Sequence, residues 1–172
     1  MIAPRSPLVG SLGAGWGLFA LAAILLQALS KLLPLVQTAL SQPLTPAQGL
    51  FALSWVLFMA WTEGYRGFQR SFSPRFVARA HWLQQRGTGR DLWLAPLFCM
   101  GFYRASRRTR IIAWGLTVGI ALLVFLIGRL PQPWRGLVDL GVMTGLSWGL
   151  VSLLSEAWRV LIRRQPGVDP DV

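Results

Sequence analysis

The hydrophobic positions of this chain gather into long unbroken stretches instead of recurring every second or fourth residue. Four stretches approach the about 20 mostly apolar residues that a helix needs to cross a hydrocarbon layer: residues 12–35, 45–66, 110–129 and 134–160. The first carries no charge until Lys31. The second opens on Thr45-Pro46-Ala47-Gln48, where Thr45 can cap, Pro46 suits the first helical position and Gln48 completes a capping box. The third is uncharged over 111–128, and the fourth, after Pro131-Gln132-Pro133, is uncharged over 140–155. The pattern predicts an all-α integral membrane protein with four transmembrane helices arranged as two hairpins.

The segments between the spans are unequal. The middle connector, 67–109, predicts a helix from Ser73-Pro74 to about Gln85, with Phe76, Val77, Ala80 and Leu83 on an apolar face and Arg75, Arg79 and Arg86 on the polar side. Gly87-Thr88-Gly89 breaks it, and Asp91 can cap a second stretch, 92–103, interrupted by Pro96 and Gly101. At about 12 residues that stretch is too short to span and reads as interfacial or re-entrant. The segment 161–172 reads as a short carboxyl tail. A cleaved signal peptide at the amino terminus is a competing reading, but the apolar region exceeds the roughly 7–15 residues usual for one.

Charge orients the spans. Between Tyr65 and Arg110 the chain carries ten arginines against one acid, Asp91, whereas the turns between first and second and between third and fourth spans are nearly free of cations. Cationic loops stay on the cytoplasmic side, so both termini are expected in the cytoplasm, as a multi-pass protein of a bacterial inner membrane. Trp16, Trp61, Trp114 and Trp158 fall near the expected inner ends, as an aromatic belt requires.

Composition narrows the classes. The chain of 172 residues is 53% hydrophobic and 13% charged, with mean hydropathy +0.49, against about 25% charged for a typical soluble domain. Net charge +11 invites a nucleic-acid reading, but topology accounts for it and no aromatic-basic binding module is present. One histidine, one cysteine and six acids give no metal-ligand set, and no cofactor motif occurs.

Small residues four apart, at Gly13 and Gly17, Gly115 and Gly119, and Gly141, Gly145 and Gly149, mark faces where helices in lipid approach closely. The second and fourth spans also echo each other: Pro46-x-x-Gly49-Leu50 matches Pro133-x-x-Gly136-Leu137, and Thr62-Glu63-Gly64-Tyr65-Arg66 with Arg70 matches Ser155-Glu156-Ala157-Trp158-Arg159 with Arg163. A duplication would relate them by an axis along the membrane normal.

Candidate chemistry is sparse. Glu63 and Glu156 sit at inner helix ends with Arg66 and Arg159 three residues on, placed to pair, yet intramembrane carboxylates are also candidates for proton transfer. Asp139 can pair with Arg135 one turn away, or with Lys31 or Arg129 across the bundle. His81 titrates near neutrality if unperturbed. Cys99, between Phe98 and Met100, reads as a packing residue. Arg66, Arg70, Arg75, Arg79, Arg104, Arg107, Arg108, Arg110, Arg159 and Arg163 are the candidate contacts for anionic phospholipid or an acidic partner.

The resulting expectation is a non-catalytic accessory, assembly or scaffold subunit that packs against another membrane protein, or itself as a homo-oligomer, and against anionic phospholipids. A small transporter or lipid-handling enzyme using Glu63 and Glu156 is the alternative. A membrane-bound adaptor for nucleic acid or signalling is the third.

Overall fold

The computed structural model describes residues 7–86, 92–162 and 168. Every regular element among them is helical. Helix α1 is Pro7–Leu40, α2 is Pro46–Met59, a π-helical segment Ala60–Phe72 follows, and α3 is Ser73–Arg86. After a gap in the described residues come α4, Ala95–Cys99, α5, Arg107–Ile127, α6, Trp134–Ala157, and a π-helical end, Trp158–Ile162.

Helix starts follow their local chemistry. At α2 the Thr45 hydroxyl accepts from the Gln48 N–H while the Gln48 side chain accepts from the Thr45 N–H, and Pro46 takes the first turn. At α5 the Ser106 hydroxyl accepts from the Thr109 N–H. Gly101 turns the chain after α4 with φ +87, a conformation that a Cβ would disfavour.

Three helices are long and apolar enough to cross a membrane: Gly10–Leu40, Arg107–Ile127 and Trp134–Leu161. The expected second span is not among them. Its α-helical part ends at Met59 after 14 residues, about 21 Å, and the chain continues helically without a break through the π segment into α3. The connector helix is therefore an extension of the second apolar segment, where sequence had suggested a separate piece. Pro74 lies just past the end of the π segment. It has no N–H to donate and its ring would collide with the carbonyl four residues back in an α-helix; around it the hydrogen bonds run five residues back, with the Ser73 N–H donating to the Phe68 carbonyl.

Packing centres on α6, which meets α1, α2, the π segment and α3. Near its start, Gly136 lies so close to α1 that a Cβ would stand 2.4 Å from both the Leu35 carbonyl and the Ala39 methyl. Gln132 ties the same corner, donating to the Leu35 carbonyl at 3.3 Å and accepting from the Gly136 N–H at 3.2 Å. Further along, Gly141 faces Trp55 and Met59, Gly145 faces Glu63, and Gly149 faces Phe68. These residues ascend together, so α6 and the α2–π–α3 helix run parallel. Two indoles bridge them: Trp55 donates to the Val138 carbonyl at 3.0 Å and Trp148 to the Gln69 side chain at 2.7 Å.

Beyond Phe68 the long helix crosses to α1. Phe76, Val77, Ala80 and Leu83 are buried with Ala14, Leu21 and Leu25 of α1, Ala95, Phe98 and Cys99 of α4, and Leu153, Ala157 and Val160. Protein, not a membrane surface, covers the apolar face of the connector helix. The same face takes in Arg79, which is 2% exposed, against the expectation that it lies with Arg75 and Arg86 on the polar side. Residues Gly87 to Gly89 and the expected cap Asp91 lie outside the described residues.

Helix α5 stands apart. It forms no packing interface with any other described helix, and none of its 21 residues is buried. The expected packing of the third and fourth spans as a hairpin is thus absent among the described residues; the two are joined by a turn only.

Gly136→Val forces a Cβ against a main-chain carbonyl that cannot step aside, so it is expected to destabilise the fold by about 1–3 kcal/mol. Gly119→Ala, where a Cβ meets open space, is expected to be neutral or to stabilise by up to about 1 kcal/mol. Thermal unfolding of both variants in detergent decides; equal losses would contradict the packing.

Candidate functional site

Glu63 has the most unusual surroundings of any ionisable group described. It lies in the π segment, where Thr62 bonds back to the Phe58 carbonyl at 2.7 Å and Gly64 is covered by the Trp148 indole. Its carboxylate is pressed on Gly145, whose absent Cβ would stand 2.7 Å from Oε2. That oxygen is buried and accepts no hydrogen bond. The expected pair with Arg66 does not form, and Arg66 is exposed. Winding five residues per hydrogen-bonded step carries the third residue on away from the Glu63 face, whereas the same spacing works in an α-helix.

Glu156 behaves as the α-helical rule requires. It accepts from Arg159 at 3.1 Å, beyond buried Gly149 and Ser152 on the same helix. The two glutamates do not share a site. Glu63 sits at the level of Gly145 and Glu156 is eleven residues further along α6, about 16 Å.

The remaining candidates are dispersed. Asp139, 5% exposed, has Arg135 4.0 Å away, and not Lys31 or Arg129. The Asp139 Oδ2 and the Arg135 Nε are buried without a hydrogen bond. His81 Nε2 lies 2.8 Å from the Gln85 side-chain nitrogen while its Nδ1 is buried without a partner. Among the described residues, no three His, Cys, Asp or Glu side chains gather to hold a metal.

The described arginines divide by surroundings. Arg79 is inside, donating to the Phe98 carbonyl at 3.1 Å with its guanidinium 5.6 Å from the Phe98 ring centre. Arg70 lies over Tyr65 and Arg104 over Trp82. Arg75 bonds to the Ser71 carbonyl and hydroxyl, and Arg110 donates to the Ala105 carbonyl at 3.2 Å. Arg107 and Arg108 are exposed. Arg163 lies outside the described residues.

The glycine rows divide too. Gly13 receives Leu83 and Leu92, and Gly17 receives Cys99 and Ala95, so that row seats α3 and α4. The row Gly141, Gly145 and Gly149 seats the long helix. Gly115 and Gly119 face open space. The sequence did not mark Gln69, Gln132, Gly136 or Gly10, which faces the Gln84 backbone, as contact residues. Only Gly136 carried a signal, its place in the echo of the second and fourth spans, and its counterpart Gly49 meets nothing.

Cys99 is 2% exposed, and burial pushes its thiol from 9.0 up to about 12, with the nearby Arg79 charge opposing in part. This is an inert packing thiol.

No family model, curated protein or solved structure matches the chain. The fold and site define an all-helical protein with three helices long and apolar enough to cross a membrane. Function has to be read from these residues alone.

The Cys99 shift gives a signed pH dependence. Between pH 9 and 12 the unfolded chain loses the thiol proton and the folded chain keeps it, so stability falls as pH rises through that window. Cys99→Ala is expected to flatten this part of the stability-against-pH curve. An unchanged slope in denaturant titrations would show that the thiol is not shielded.

Proposed function

We propose that this protein is a multi-pass integral membrane protein acting as a non-catalytic accessory or assembly subunit, with four passages formed by α1, by α2 with the start of the π segment, by α5 and by α6. The charge distribution supports termini and connector on the cytoplasmic side of an inner membrane. Its partners are other membrane helices, from a second protein or a further copy, together with anionic phospholipid. The single observation that carries this reading is α5, an apolar helix whose 21 residues are all unburied while the other long helices pack on one another. A protein built as a self-contained catalyst gains nothing from such an arm, whereas an assembly subunit uses it as the surface by which it joins a larger bundle.

A second reading has one observation of its own, the buried, unpartnered Glu63 oxygen in a π-helical segment. Carboxylates in that setting, and π-helical turns themselves, recur at functional sites. A transporter or lipid-handling enzyme would use Glu63 alone, since Glu156 is paired with Arg159 and distant.

Gly119→Leu adds bulk on the open face of α5 without touching the body. It is expected to shift the protein from an assembled to a smaller species in native gels of gently solubilised membranes, with unfolding temperature unchanged. Wild-type protein that runs as a monomer without companions would remove the accessory reading. Glu63→Gln is expected to leave assembly intact; abolished solute flux or lipid turnover in reconstituted vesicles would install the second reading in its place.

A further inference from the structure

A shallow groove runs along one face of α5, lined by Arg107, Arg110, Ile111, Trp114, Gly115 and Val118. Its two ends differ in chemistry. At the base stand two guanidiniums; the next two turns offer an aliphatic branch, an indole, a glycine with nothing within 4 Å of its absent Cβ, and a valine. The base is fixed by the preceding loop. Arg110 is held by the Ala105 carbonyl at 3.2 Å, the Trp114 ring packs edge-on to Phe102 with centres 5.2 Å apart, and Gly101 leaves just enough space for the Thr109 methyl.

Among the described residues no carboxylate lies at this base. The sequence has no acid between Asp91 and Asp139. Of the acids described, Asp139 lies beside Arg135, Glu156 pairs with Arg159, and Glu63 is pressed on Gly145. Arg107 is exposed and Arg110 bonds only to a neutral carbonyl. An occupant that matches the whole groove carries a negative head for the two arginines and an apolar tail for Ile111, Trp114, Gly115 and Val118.

We infer that the groove is a binding site for one anionic phospholipid, with its phosphate on Arg107 and Arg110 and an acyl chain laid past Trp114 over Gly115 to Val118. The inference rests on the reading of α5 as a membrane passage and gives the general attraction to anionic lipid a specific place. Gly119 lies one turn beyond Gly115, past the last residue that lines the groove.

The full chain, reconstituted in nanodiscs of equal phosphatidylglycerol and phosphatidylcholine and released into native mass spectrometry, tests this. Wild type is expected to retain phosphatidylglycerol over phosphatidylcholine by about tenfold or more, the scale set by two interfacial cations. Arg107→Gln with Arg110→Gln is expected to bring retention near the bulk ratio, and Trp114→Ala to lower retention of bound lipid. Lys31→Gln with Arg129→Gln removes the same charge elsewhere and is expected to keep the preference. Retained preference in the Arg107/Arg110 variant, or equal loss in the Lys31/Arg129 variant, overturns the site. So does displacement of the lipid by millimolar inorganic phosphate, which would mark a simple anion site. Alkaline washing separates the two levels: protein stripped from the nanodisc lipid by the wash refutes the membrane passage, whereas inserted protein without lipid preference refutes the groove alone.

Discussion

The close approach of α6 to its neighbours along Gly136, Gly141, Gly145 and Gly149 governs the arrangement of this chain. In an apolar solvent, burial of a leucine gains little over lipid, and helices associate by dispersion contacts that demand short backbone distances. Each of those glycines supplies one such distance, and each has a particular filler: the α1 backbone at Gly136, then Trp55, Glu63 and Phe68 of the long helix. Gly136 precedes Gly141 by five residues, about 140° round an α-helix, whereas Gly141, Gly145 and Gly149 follow at four and stay near one face. Gly136 therefore presents itself to α1 and the four-spaced row to the long helix. Phe68 is the last side chain seated on the row, and beyond it the long helix packs on α1 while still meeting α6. The π winding between Met59 and Ser73 lies where that change of direction is made, as kinks of helices commonly do.

Local chemistry was legible in the sequence wherever one element decides it. The Thr45–Gln48 capping box, the apolar face Phe76, Val77, Ala80, Leu83 and the Glu156–Arg159 pair each depend on spacing within a single helix, and the structure contains all three. What the sequence concealed depends on a neighbour or on winding. Glycine rows of the same spacing at Gly141 and at Gly115 meet opposite fates, one filled and one open, because spacing states that a face is flat without naming what lies on it. Arg79 follows Phe76 by three residues and so shares its inward face; charge alone suggested the opposite. Pro74 read as a helix start, yet a wider winding carries the helix through it.

Many of the described guanidiniums meet neutral groups of the protein. Arg79 donates to a carbonyl and faces a ring, Arg70, Arg104 and Arg129 lie over aromatic rings, and Arg75 and Arg110 bond to main-chain carbonyls. Guanidinium suits this use, since it is weakly hydrated, planar and stacks on ring faces. At the base of α5 the exposed guanidiniums of Arg107 and Arg110 meet apolar surface.

Two different forces hold the two halves of α1. The helix has 34 residues, about 50 Å, well beyond the roughly 30 Å of a hydrocarbon core. Its later half meets α6 at Gly136 by the close contacts described above. Its earlier half, with Ala14 and Leu21, belongs to a cluster closed by α3 and α4 in which Phe76, Phe98, Leu83 and Leu153 are almost wholly buried. Side chains of that size signify an ordinary core shielded from water, where about 25 cal/mol per Å² of apolar area applies. The same coefficient has no purchase on α5, whose apolar surface is left open. A substitution that enlarges or trims a side chain should thus act through packing density in the α3–α4 cluster and through interhelix distance at the glycine row, while on α5 it leaves the body untouched and alters only what the helix can meet.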